Sequence, residues 1–227
     1  LQQPLGVPVQ IINDFSAQVF SLGGLRPEEV HWLGQARPGS EGVRAIIGPG
    51  TGLGVSAMMP SGEVLPSEAG HVGFAPVTLH QSDLLEVLRK RYRRVSAERV
   101  LSGPGLANLY WANCHLQGQC KELPAAEVTA GARAQDPLCR KAVDDFLAIF
   151  AAFAGDVALM TGANQGVYLS GGILPKMMDF LNEDEFLHHF RDKGRFREFN
   201  TAIPLAIVMA DQPGLLGCAR ALDLRAA

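Results

Sequence analysis

The 227-residue sequence has little excess charge of either sign, with 20 Lys and Arg against 23 Asp and Glu and a net charge of -3. Charge spread this evenly leaves no electrostatic footprint for nucleic acid. A long uncharged apolar run is missing too. The longest candidate, residues 142–160, contains Asp144, Asp145 and Asp156, which hydrocarbon does not tolerate without partners. It reads as a buried helix, and no membrane partner is expected. Cysteine is sparse: Cys114, Cys120, Cys139 and Cys218 make no C-x-x-C pair. No charged, apolar and small-residue leader opens the chain, so secretion is not indicated and the cysteines are expected as free thiols. Internal repeats, low-complexity blocks and Ser/Gly linkers are also absent. Position 1 is not Met, and the chain starts in mid-stride, as a fragment would. What is there is a globular composition, 47% apolar and 19% charged, in a chain long enough to bury a real core.

Val7 to Ile12 reads as a short strand ending at Asn13-Asp14, and the spacing of Phe15, Val19 and Leu22 predicts a helix closed by Gly23-Gly24. Val43 to Ile47 and Val55 to Met59 read as strands flanking the loop Gly48-Pro49-Gly50-Thr51-Gly52-Leu53-Gly54, and a turn at Pro60-Ser61-Gly62 leads back to Val64-Leu65. Helices are expected over Asp83 to Arg94, over Ala97 to Leu101 with Ser96 as cap, and over Pro104 to Asn113. Another runs from Pro137 to Thr161 with Asp136 as cap and leads to a strand at Gly166 to Leu169. Helical stretches at Pro175 to Phe190, a strand at Ile203 to Ala210 and a helix at Pro213 to Leu224 complete an α/β or α+β order.

Four places could carry chemistry. In the Gly48 to Gly54 loop, backbone N–H groups of Gly50 and Gly52 can converge on phosphate oxygens and Thr51 adds a hydroxyl; the alternative is a tight turn needing positive φ. The glycine spacing fits neither a Walker loop nor G-x-G-x-x-G. Glu68 and His71 can hydrogen-bond neighbouring hydroxyls of one polyol, or form a satisfied polar pair. Asp14, beside Asn13 at a strand-to-helix junction, can accept a proton from a substrate hydroxyl or serve as a helix cap, and Glu98 reads as a first-turn acid. Gly171 and Gly172, after a buried strand, let a flat ring approach, or serve close chain packing. Cys114-His115 with Cys120 lacks a fourth zinc ligand, so no protein-built metal site is expected.

Taken in this order, the segments resemble the bacterial ATP-dependent glucokinase family. They are Ile11 to Phe15, Gly48 to Gly54, Glu68 to Val72, Val95 to Leu106, Ser170 to Ile173, Asp192 to Phe196 and Pro213 to Gly217. The resemblance implies an α/β, actin-like (ribonuclease H-like) sugar-kinase fold. It also implies ATP and Mg²⁺ as cofactors, glucose as substrate, a cytoplasmic setting and a homodimer. By resemblance Asp14 is the general base on the glucose 6-hydroxyl and Asn13 meets adjacent hydroxyls. Glu68, His71 and Glu98 hold the other side of the ring, and Gly52 approaches it through its backbone. Gly50 and Thr51 face the ATP phosphates, and Gly171-Gly172 borders the adenosine. After His71 comes Val72-Gly73-Phe74-Ala75-Pro76, without the cysteines of the related repressor/kinase group, which favours the glucokinase branch.

The family usually opens with an Asp-x-Gly-Gly-Thr-Asn phosphate loop, and nothing like it occurs here. The chain is therefore expected to be mainly the large domain. Residues 1–24 would be a remnant of the small domain and the sugar-site edge, 25–211 the large domain, and 212–227 a helix packing on the small domain. Leu215, Leu216, Ala219 and Leu222 are expected to be exposed on that helix. Such a chain alone would be incomplete for catalysis; the rival reading is a sugar-binding regulatory or inactive kinase-like protein.

Overall fold

The computed structural model describes residues 6, 9 and 11–226. A helix α1 (Asp14–Ser21) leads into strand β1 (Val30–Leu33), followed by the antiparallel meander β2 (Arg44–Pro49), β3 (Leu53–Met58) and β4 (Val64–Ser67). Helices α2 (Leu79–Arg89), α3 (Gly103–Leu116), α4 (Ala125–Arg133) and α5 (Pro137–Thr161) precede β5 (Val167–Leu169). Then come α6 (Glu183–Arg191), α7 (Arg197–Ala202), β6 (Leu205–Val208) and α8 (Pro213–Ala226). The strands form one mixed sheet in the order β1-β6-β5-β2-β3-β4. β2, β5 and β6 run parallel, whereas β1 at one edge and the β2-β3-β4 meander at the other pair antiparallel.

Residues of the central strands alternate between two cores, as the period of two requires. Ala45 and Ile47, Val167 and Leu169, and Leu205 and Ile207 belong to the large core shared with the helices between α2 and α6. Ile46, Tyr168, Ala206 and Val208 point to the other face, where Val19 of α1 completes a small core. Three fully buried phenylalanines, Phe146, Phe150 and Phe190, anchor the large core.

α5 spans the residues its pattern predicts. Asp136 accepts from the N–H groups of Leu138 and Cys139 at its start, and Gly162, at φ 63°, ends it in the left-handed conformation. These backbone N–H groups stabilise the Asp136 carboxylate and hold its pKa below the usual value. Cys114 and Cys139 are buried and all four cysteines are free; burial pushes the Cys139 thiol up to about 11. Among the described residues no helix is long and apolar enough to cross a membrane.

Several expected elements differ. Ile11 and Ile12 are outside any strand, and Val7, Pro8 and Gln10 of the expected Val7–Ile12 strand lie outside the described residues. α2 starts at Leu79 because Thr78 caps it, accepting from Gln81 N–H, and it stops at Arg89 rather than Arg94. Ser96 makes no capping bond and Ala97–Arg99 is a single 3₁₀ turn; α3, expected from Pro104, starts at Gly103 with Ser102 as its cap, accepting from Gly105 N–H at 3.0 Å. Pro175 to Phe190 divides into 3₁₀ turns and α6. β1, α4 and α7 carry no clear signal in the sequence. α4 begins after Pro124 without a side-chain cap, and β1 is a four-residue edge strand.

Candidate functional site

β2 and β5 are neighbouring parallel strands whose chains leave the sheet in opposite directions, β2 turning to β3 and β5 leading toward β6. Ligands of open α/β sheets sit in the crevice this divergence creates at the carboxyl ends. A cleft of about 360 Å³ opens at this point. Asn13, Asp14, Glu68, His71 and Glu98 line it on the polar side, and Gly50, Thr51, Gly52, Gly171 and Gly172 line the remainder. The structure thus brings every expected site residue into one hollow.

α1 enters the cleft by its N-terminus. Asn13 is its cap, the side-chain oxygen accepting from Phe15 N–H at 2.9 Å and Ser16 N–H at 3.1 Å. Asn13 is therefore the cap and Asp14 the first helical residue, its Oδ1 also accepting from Phe15 N–H at 2.9 Å and its Oδ2 left to the cleft. With the Asn13 oxygen engaged twice, its Nδ2 amide is the group left to donate to a ligand. The Phe15 ring fixes the helix sideways by lying on bare backbone: a Cβ on Gly54 would stand 1.9 Å from that ring, and one on Gly48 would stand 2.8 Å from it.

Glu98 reaches the cleft from the 3₁₀ turn. Its Oε2 accepts from Leu53 N–H at 3.1 Å, and its Oε1 lies 3.9 Å from His71 Nδ1. A Cβ on Gly52 would stand 2.6 Å from the same carboxylate, so this loop residue must lack a side chain. No glycine of the Gly48 to Gly54 loop has positive φ; Gly48, Gly52 and Gly54 serve close approach while Gly50 faces open space, which overturns the alternative of a turn needing positive φ. Gly50 N–H bonds Gly52 O and Gly50 O accepts from Gly103 N–H, both at 2.8 Å. The loop is thereby tied to the start of α3. Glu68 and His71 share only a backbone bond, His71 N–H to Glu68 O at 2.9 Å, so both side chains remain available to a ligand.

The two glycines after β5 divide the alternatives between them. Gly171 has φ +87°, and a Cβ there would stand 2.5 Å from Pro49 O, so chain packing demands glycine. Gly172 faces open space and joins the cleft to a second cavity of about 700 Å³ beside Leu106, Thr129, Arg133, Lys176 and Met178. Its mixture of apolar wall and polar rim suits a flat heterocycle. Among the described residues no three His, Cys, Asp or Glu side chains converge as a metal site would need, and no residue of this chain is assigned to Mg²⁺.

Gln18 also lines the cleft, and the sequence reading missed it. The available signal was positional: it lies four residues after Asp14, hence on the same helix face. Leu215, Ala219 and Leu222 of α8 are exposed and Leu216 is half-buried. The opposite face of α8 meets α1 so closely that a Cβ on Gly217 would stand 1.6 Å from Ala17 O.

The family model for glucokinase matches residues 1–225. The glucokinase of Chromohalobacter salexigens is 44% identical over 217 residues, covering 94% of this chain and 68% of that protein. The crystal structure of a glucokinase from an Antarctic psychrotroph superposes with a TM-score of 0.88 at 34% identity, covering 93% of this chain and 67% of that one. A ROK family glucokinase from Streptomyces griseus, solved with glucose and AMPPNP, shares the fold at a TM-score of 0.65 and 18% identity, covering 100% of this chain and 71% of that one. The chain thus spans about two thirds of the length of the relatives it matches. On these grounds it belongs to the glucokinase family, with the actin-like sugar-kinase fold.

Proposed function

We propose that the protein containing this chain is a glucokinase that transfers the terminal phosphoryl group of ATP to the 6-hydroxyl of glucose, the first step of glucose use in glycolysis. The observation that carries the reading is the single cleft in which Asp14, Asn13, Glu68, His71 and Glu98 face the glycine loop and the Gly171-Gly172 turn. A hexose presents several hydroxyls that both donate and accept. Carboxylates, an amide donor and an imidazole satisfy them, and an inverted hydroxyl would leave one of these groups unpaired. Asp14 accepts the proton of the attacking hydroxyl. Glu98, held by Leu53 N–H, and His71 beside it orient the ring. Thr51 presents its hydroxyl to the phosphates and Gly50, with open space where a side chain would stand, lets them approach the backbone, while the second cavity takes the adenosine. Mg²⁺ carried by the nucleotide supplies charge neutralisation at the phosphates.

In this reading residues 25–211 are the large domain, residues 1–24 supply the edge of the sugar site, and residues 212–227 pack on a small domain. The protein acts in the cytoplasm as a homodimer. A coupled assay for ADP production across a hexose panel, run on the full gene product, tests the reading: glucose-dependent turnover is expected. Thermal stabilisation by glucose with no turnover on any hexose would overturn it in favour of a sugar-binding, non-catalytic protein.

A further inference from the structure

The one side-chain bond that joins α1 directly to the end of β5 is made by two residues with no role in the reaction described so far. Ser170 is 1% exposed. Its N–H donates to Ile47 O at 2.7 Å, extending the parallel β2–β5 ladder one residue past Leu169 and fixing the serine to the sheet. Its hydroxyl donates to Gln18 Oε1 at 2.7 Å, across a sequence separation of 152 residues. A buried hydroxyl needs such a partner, and among the described residues it has no other. Because the amide is planar, Oε1 turned to the serine leaves Nε2 as the other arm. Nε2 has no acceptor among the described residues, on a side chain that lines the cleft.

The two ends of this bond belong to different halves of the site. Gln18 is one helical turn beyond Asp14, so any rotation of α1 that re-aims the Asp14 carboxylate also displaces the amide. Ser170 runs directly into Gly171, whose position is fixed by contact with Pro49 O. The Phe15 ring on Gly48 and Gly54 sets the distance of α1 from the sheet, but an apolar contact is not directional. A hydrogen bond is directional. We propose that Gln18 and Ser170 are positioning residues that lock the rotation of α1 against the nucleotide-side turn, so that occupancy of the nucleotide side raises affinity for the sugar. The inference rests on the sugar and nucleotide assignment above and adds the coupling between them, which is a free energy shared by two sites.

The test is calorimetric titration of glucose with and without a non-hydrolysable ATP analogue on the full gene product. The proteins are wild type, Gln18→Leu, Ser170→Ala, the double variant and Ser170→Thr, which keeps the hydroxyl. In wild type the analogue tightens glucose binding. In either single variant that gain falls by about fivefold, the worth of one net hydrogen bond. The double variant falls no further, and Ser170→Thr retains the gain. Glucose affinity without the analogue stays within about twofold, and in turnover assays the KM for glucose at saturating ATP rises by about the same fivefold. A wild-type protein that binds both ligands, with variants that keep the full gain and lose only thermal stability, would overturn the clamp alone. A wild type that binds neither ligand would overturn the clamp and the functional reading together.

Discussion

The two faces of the sheet are packed by different means. On the face carrying α2 to α5 the core is thick and apolar, centred on Phe146 and Phe150. On the other face a small core holds α1, and α8 packs on α1 in turn. The precision there comes from glycines that let backbone and rings touch: Gly217 against Ala17 O, Gly54 and Gly48 under Phe15. The first face supplies stability that tolerates some repacking. The second supplies the position of Asp14, for which an error of a fraction of an ångström matters more than buried area.

Four changes test that division, the largest expected effect first. Asp14→Ala lowers kcat by about 10²–10⁴-fold, the usual worth of a general base, with glucose affinity nearly unchanged; steady-state kinetics beside calorimetry checks this, and equal losses in both would demote Asp14 to a binding residue. Phe150→Ala, on the thick face, costs about 3–5 kcal/mol in denaturant unfolding, yet the folded fraction binds glucose as wild type does. A loss of affinity there would break the division between faces.

Gly54→Ala adds one methyl group on the thin face, at a point 1.9 Å from the Phe15 ring. It should cost about 1–3 kcal/mol of stability as an overpacked site and, unlike Phe150→Ala, weaken glucose binding at least tenfold (about 1.4 kcal/mol). Unchanged affinity would mean that α1 absorbs the methyl without moving its N-terminus. The smallest effect belongs to the α5 cap, remote from the cleft: Asp136→Ala costs about 1 kcal/mol and leaves ligand affinity alone. Because the folded pKa of Asp136 is depressed from its usual 3.8, the charge contribution is fully present above that value and is lost as pH falls through the lower, folded pKa. Denaturation of Asp136→Asn, which keeps the capping oxygen, should show a flatter dependence between pH 2 and pH 5 than wild type.

Local signals were read well where they were strong. α5 has a capping Asp136, a proline in its first turn and Gly162 at its end, and both its limits follow from these. Where the signal was a lone serine it misled: Ser96 makes no capping bond and only a 3₁₀ turn follows it, while the next helix is capped by Ser102, which the sequence reading passed over. Competition hid the role of Asn13: either it or Asp14 could cap α1, and only the helix geometry assigned that task to the asparagine.

By itself the sequence determined the residue types of the site, the glycine-rich loop and the order of segments, since these rest on local chemistry and spacing. Tertiary structure alone decided that β2 and β5 lie side by side and that Gly48, Gly52 and Gly54 serve close approach rather than turn angle. It alone brought Gln18 to Ser170 as well. Contacts between residues so far apart in the chain depend on strand order and helix rotation, which no local pattern encodes.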